Sequence, residues 1–251
     1  MSRAELASLL VVAVALLTMP VFALVSRGRP VDAEVARRPR TILLGTWIRD
    51  WLMWLIAPLV RASVAARVPP LAFNVLGALL GLAAGAAYAA GALATGGWLV
   101  LLGGAADIFD GRVARARGMA SRAGAFLDST LDRFAETFAF AGLALYYRDA
   151  PWRALATVLA LGGSLLVSYT RARGEGLGIE CKGGVMQRAE RLVLLAVASV
   201  LDRTVSARAG WPDGSLLVAA VALIAAGSLG TALWRTVAIA RALEREDTGE
   251  R

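Results

Sequence analysis

The sequence predicts an all-α fold: a polytopic membrane helical bundle with a six-helix core, one extra N-terminal transmembrane helix and an amphipathic interfacial helix. Two observations carry this reading. Leu6–Val25, Val68–Ala106 and Gly214–Trp234 hold no charged residue, the second run being interrupted by Gly96-Gly97. A membrane-spanning helix needs about 20 mainly apolar residues, and none of these runs shows polar residues returning at the spacing of a soluble helix. The second observation is that the arginines alternate from loop to loop, as one consistent membrane topology requires.

Composition agrees and narrows the chemistry. The chain has 251 residues, 58% of them hydrophobic and 18% charged, with a net charge of +8. A basic chain suits either nucleic acid or anionic lipid headgroups. No basic patch is interleaved with aromatics, so no nucleic-acid partner is expected. The single cysteine, Cys181, excludes an internal disulfide. There is no histidine, so acid–base or metal chemistry falls to carboxylates.

The elements follow in order. Leu6–Val25 is longer than a signal-peptide core, and Arg27, Arg29, Arg37, Arg38 and Arg40 follow it. It therefore reads as a retained helix with its N-terminus outside. In Arg40–Arg61, Trp47, Trp51 and Trp54 share one helical face, with Arg49 and Asp50 turned away. This predicts the amphipathic helix on the cytoplasmic surface, kinked or ended by Pro58. Six spans are then expected near 71–93, 97–116, 122–147, 153–173, 184–201 and 214–240. The loops 112–122 and 171–191 and the C-terminal tail are rich in arginine, whereas those near 95, 150 and 205 are poor.

One group of charges needs a purpose. Asp107 and Asp110 lie three apart at the end of one span, and Asp128 and Asp132 four apart at the start of the next. Both spacings put the pair on one helical face, and a short turn makes the helices antiparallel neighbours. Four converging carboxylates repel one another and need neutralising. Pairing with Arg112, Arg115, Arg122 and Arg133 is one answer. A hard divalent cation such as Mg²⁺, Mn²⁺ or Ca²⁺ is the other. Two such ions would suit phosphoryl transfer. A transporter would want acids spread through the membrane depth, whereas these gather at one face. Gly111, Ala114 and Gly124 are small enough for a ligand to approach, and Arg115 can present a planar fork to a phosphate.

The segment Asp107-x2-Asp110-Gly111-x2-Ala114-Arg115-x8-Gly124-x3-Asp128-x3-Asp132 resembles the signature of the CDP-alcohol phosphatidyltransferase family at all eight specified positions. The resemblance covers about residues 40–240. It divides the chain into an additional helix and basic linker (1–39), a phosphatidyltransferase domain (40–241) and a cytoplasmic tail (242–251). It implies a multi-pass cell-membrane enzyme, active site facing the cytoplasm, that moves a phosphatidyl group from CDP-diacylglycerol to a hydroxyl acceptor and releases CMP. It also implies that Asp107, Asp110 and Asp128 hold a pair of Mg²⁺ or Mn²⁺ ions with the CDP diphosphate. Asp132 would be the general base and a further metal contact. Asp107, Gly111, Ala114, Arg115 and Gly124 would line the CDP pocket, and a homodimer is expected.

The flank before the second span departs from the family pattern. Pro70 and Gly77 match, but Leu71 stands where Asn is usual and Asn74 where Thr is usual. Asn74 is the candidate to restore the polar nucleotide contact. Ser168-Tyr169-Thr170-Arg171-Ala172-Arg173 and Arg188-Ala189-Glu190-Arg191 are similar to patterns of the phosphatidylinositol-phosphate synthase branch. Ser168, Arg171, Arg188 and Arg191 would then surround the phosphate of inositol phosphate. Glycerol 3-phosphate or another polyol phosphate is the alternative acceptor.

Overall fold

The computed structural model describes residue 14 and residues 16–32, 35–36, 45–181 and 183–248. These residues form helices joined by short turns, with no strand among them. The helices are α1 (Leu16–Val25), α2 (Thr46–Ala65), α3 (Pro70–Ala89), α4 (Leu93–Ala116), α5 (Arg122–Tyr146), α6 (Pro151–Glu175), α7 (Arg188–Ala209) and α8 (Ser215–Asp247).

The six expected core spans correspond to α3–α8. By length and composition, α3, α4, α6 and α8 are apolar enough to cross a membrane. The helices α5 and α7 are as long, at 25 and 22 residues, but carry the charges of the site. Helix starts follow local chemistry. Pro70 and Pro151 open α3 and α6 in the first turn, where a missing N–H costs nothing. Ser121 Oγ caps α5 by accepting from Gly124 N at 3.0 Å.

Several boundaries differ from the sequence expectation, among them the turn between α3 and α4, which falls at 90–92 instead of 94–96. The fifth core span, expected over 184–201, runs over Arg188–Ala209. Gln187 and Glu190 form a reciprocal capping box at its start, and Gly210 ends it in the left-handed conformation (φ 68°). The last helix runs to Asp247 instead of stopping near 240, because Ala, Leu, Glu and Arg favour continuation. The surface helix spans Thr46–Ala65 and passes through Pro58; expected residues 40–44 lie outside the described residues. Its Asp50 is buried and accepts the Asp32 N–H at 2.9 Å, whereas the pattern turned Asp50 outward. The first span is described as helix over Leu16–Val25; the portion before it lies largely outside the described residues.

Packing fixes α5 unequally on its two sides. Against α3 it approaches to backbone contact: a Cβ on Gly85 would lie 2.2 Å from Phe138 O, and one on Gly142 1.9 Å from Gly85 O. Small residues permit such approach between membrane helices. Against α4, its neighbour in sequence, α5 makes slight contact; α4 packs instead on α3 and α7, and α6 packs on α8. The apolar core, with Tyr88, Val100, Phe140, Leu143, Leu195, Val221 and Ile224, fills the half of the bundle away from the aspartates. At that end Asp202 accepts from Gly214 N at 2.6 Å and Leu217 N at 2.9 Å, capping α8.

Candidate metal and substrate site

The end of α4 and the start of α5 bring Asp107, Asp110 and Asp128 together, with one carboxylate oxygen from each within 4.8 Å of the others. Asp110 is buried and accepts from Gly111 N. Three oxygen donors at this separation suit a hard divalent cation, which prefers carboxylate ligands. Asp132 is not in that group of three. One turn further along α5, it accepts from Arg188 Nη2 at 2.5 Å, with Arg133 at 3.6 Å. Arg188 also pairs through Nη1 with Asp107 at 2.8 Å. A single guanidinium fork from α7 therefore ties the three-carboxylate group to Asp132.

Arg188 is held from behind. The chain entering α7 is pinned to α8, where Thr231 Oγ1 accepts from Met186 N at 3.2 Å and Arg235 donates to Gly183 O at 2.8 Å. Arg235 also donates to Val167 O of α6 at 2.8 Å. One turn beyond Arg188, Arg191 is 2% exposed and donates through Nε to Glu136 at 3.0 Å and through Nη1 to Met186 O at 3.2 Å. Asp132, Glu136, Arg188 and Arg191 line a cavity together with Gly77, Gly81, Gly103 and Gly104.

The remaining candidates fall in different places. The Arg115 guanidinium folds over Gly111, where a Cβ would lie 3.1 Å from Nη1; Ala114 is half-buried beside it. Gly124 is engaged in the Ser121 cap. Asn74 sits on the first turns of α3, and its Oδ1 is buried with no hydrogen-bond partner among the described residues. Its neighbour Phe73 stacks on Phe109 of α4 at 5.5 Å, bringing that end of α3 against the motif helix. Ser168 Oγ donates to Ser164 O at 3.3 Å. Arg171 is exposed and pairs with Glu175 at 2.8 Å. Of the four expected acceptor residues, Arg188 meets the carboxylates, Arg191 is enclosed by Glu136, and Arg171 pairs locally.

Sequence reasoning passed over Glu136 and Arg235. Glu136 stands four residues after Asp132, so helical spacing places it on the same face. An acid at that depth is itself a signal for a buried cation. Arg235 looked like one more basic residue at a span end, and its burial follows from tertiary packing alone.

Comparison with known proteins bears on the family and the fold. The family model for CDP-alcohol phosphatidyltransferase matches residues 67–203. The chain is 34% identical over 223 residues to the phosphatidylinositol phosphate synthase of Streptomyces avermitilis, covering 86% of this chain and 88% of that one. It is 43% identical over 125 residues to the archaetidylinositol phosphate synthase of Methanothermobacter thermautotrophicus, covering 49% of this chain and 62% of the relative, less than two thirds of its length. The crystal structure of Mycobacterium tuberculosis phosphatidylinositol phosphate synthase with CDP-DAG bound superposes with a TM-score of 0.64 at 28% identity, covering 72% of this chain and 92% of that one. A second structure of that enzyme, with manganese and citrate, gives the same TM-score and identity over 72% and 87% of the two chains.

Proposed function

Because the chain belongs to the CDP-alcohol phosphatidyltransferase family, we propose that it transfers a phosphatidyl group from CDP-diacylglycerol to a hydroxyl of inositol phosphate, releasing CMP. The observation that carries this reading is the convergence of Asp107, Asp110 and Asp128 within 4.8 Å beside an Asp132 held by Arg188. The relatives named above, whose products are inositol phosphate lipids, support the choice of acceptor. The catalytic unit spans 40–241, with 1–39 as an addition and 242–251 as a tail, although α8 continues across the last boundary.

Asp107, Asp110 and Asp128 would hold Mg²⁺ or Mn²⁺, as a pair of ions. Such a cation, when bound, neutralises charge on the phosphoryl and leaving-group oxygens. The chain's own residues do the rest. Arg115, over Gly111, offers its fork to the diphosphate. Asn74 Oδ1, a buried acceptor without a donor among the described residues, suits an N–H of the nucleotide, since such an atom is costly unless partnered. Asp132 takes the proton of the acceptor hydroxyl. The freed oxygen bonds to the lipid-side phosphorus as the P–O bond to CMP breaks, and the proton passes from Asp132 to water.

Arg188 orients Asp132 and is the arginine best placed to meet an acceptor phosphate. A guanidinium carries five N–H donors, so its two carboxylate contacts leave capacity for a third partner. Arg191 acts behind it, since its enclosure by Glu136 fixes the first turn of α7. Ser168 and Arg171, which do not line the cavity beside Asp132, would meet the acceptor on its way in, and Gly124, engaged in the α5 cap, would lie beside the CDP. Arg112 and Arg115 of α4, Arg171 and Arg173 of α6 and Arg188 and Arg191 of α7 lie at the aspartate end, against Arg153, Arg203 and Arg208 at the other; this bias supports a cytoplasmic site in a multi-pass membrane protein. A homodimer completes the proposal.

The test is direct. Purified protein in lipid nanodiscs receives CDP-diacylglycerol, Mg²⁺ or Mn²⁺ and a panel of acceptors, and products are identified by mass spectrometry. Release of CMP with phosphatidylinositol phosphate formation is expected. CMP release with glycerol 3-phosphate alone would replace the acceptor, and no CMP release with any acceptor would overturn the proposal.

A further inference from the structure

The segment before the family match is anchored to the motif helix through a short chain of contacts. Phe22 of α1 is fully buried between Trp47 and Trp54 of α2, at ring distances of 5.5 and 5.7 Å. Trp51 Nε1 donates to Thr18 Oγ1 at 2.9 Å. The chain then returns to α2, where Asp32 N donates to the buried Asp50 carboxylate at 2.9 Å. With its backbone held there, Asp32 accepts through Oδ2 from Arg112 Nη2. The two side chains are 16% and 19% exposed, so this pair is shielded well beyond an ordinary surface salt bridge.

Arg112 lies two residues after Asp110 and five after Asp107. At about 100° per residue it faces roughly 200° from Asp110 and 140° from Asp107. It is therefore on the back of α4, while the aspartates are on the front. The front of α4 touches α5 only slightly, so direct packing between these helices does not set the distance from Asp107 and Asp110 to Asp128. On another side that end of α4 is held by the Phe73–Phe109 stack and by Arg117 Nη1 donating to Val68 O at 3.0 Å; the Asp32–Arg112 pair adds a hold from behind.

We propose that Asp32 is a positioning residue for the metal site: its ion pair with Arg112, backed by Asp50, straps the end of α4 and sets the approach of Asp107 and Asp110 to Asp128. The N-terminal segment is thereby a working part of the site. The inference rests on the metal-site reading given above.

The experiment measures Mn²⁺ binding to the full-length protein in nanodiscs, by electron paramagnetic resonance of the free ion. Asp32→Asn is expected to weaken Mn²⁺ binding about 5- to 10-fold, within the usual range of coupling between sites. Asp32→Glu should restore most of it, as should the charge exchange Asp32→Arg with Arg112→Asp. Arg112→Gln should match Asp32→Asn, and the double neutral variant should be no worse than either. Asp149→Asn, in the exposed Arg148–Asp149 pair, should change nothing. Wild-type binding with unchanged affinity in Asp32→Asn would overturn the strap alone, as would additive losses in the double variant. If Asp32→Asn does not fold, the charge exchange decides, and its failure to bind Mn²⁺ would overturn the strap. Absence of Mn²⁺ binding in the wild type would overturn the metal-site reading and the strap with it.

Discussion

The helix α5 is bounded by two seams of opposite character. On the α3 side Gly81, Gly85 and Gly142 bring backbones into contact, leaving no space for a methyl group. On the α4 side the helices scarcely touch, and Asp107, Asp110, Asp128 and Asp132 line the gap with Arg188 between them. The closed seam fixes the helix, and the open seam displays what it carries. A carboxylate cluster in a membrane protein needs both: without the first the acids would spread apart under their own repulsion, and without the second no substrate would reach them.

The closed seam is the more sensitive of the two to substitution. Gly85→Val would drive a side chain into the Phe138 carbonyl, 2.2 Å from where its Cβ would stand. We expect a cost above about 3 kcal/mol, read as loss of folded, monodisperse protein by size-exclusion chromatography. At the open seam Asp128→Asn should leave the fold intact while CMP release falls by about 10³-fold, the scale of losing metal-centred charge stabilisation. A melting temperature unchanged or raised would confirm that the acid serves chemistry and not packing.

Two further variants sharpen the contrast. Arg191→Ala leaves Glu136 buried and unpaired, which should cost about 3 kcal/mol of stability, measured as a lower melting temperature. Its effect should be mainly on stability, with any kinetic loss following from displacement of Arg188. On the proposed role of Asn74, Asn74→Ala removes one polar contact to the nucleotide. It should raise KM for CDP-diacylglycerol about fivefold, near 1 kcal/mol, with kcat little changed.

Much of this arrangement was legible in the sequence because membrane solvation imposes simple rules. The apolar runs located the six core helices to within a few residues, apart from the displaced start and end of α7 and the extension of α8. The spacing of Asp107, Asp110, Asp128 and Asp132 gave their common face. The misses have local physical causes. Gly183 and Gly184, the latter at φ 133°, extend the loop before α7 until the Gln187 capping box starts the helix. Asp50 looks solvent-facing by helical period, but the chain returning through Asp32 covers it, a contact no periodicity encodes. Arg191 and Arg188 are equivalent by composition, and only Glu136 separates the buried cation from the one that reaches the site.

The division of roles within the aspartates is the point most open to test. Mn²⁺ binding and CMP release are measured in parallel for Asp128→Asn and Asp132→Asn. With Asp107, Asp110 and Asp128 holding the cation and Asp132 acting as base, Asp128→Asn loses both signals, whereas Asp132→Asn keeps Mn²⁺ binding and loses CMP release. Loss of Mn²⁺ binding in Asp132→Asn, or its retention at wild-type affinity in Asp128→Asn, would contradict that assignment.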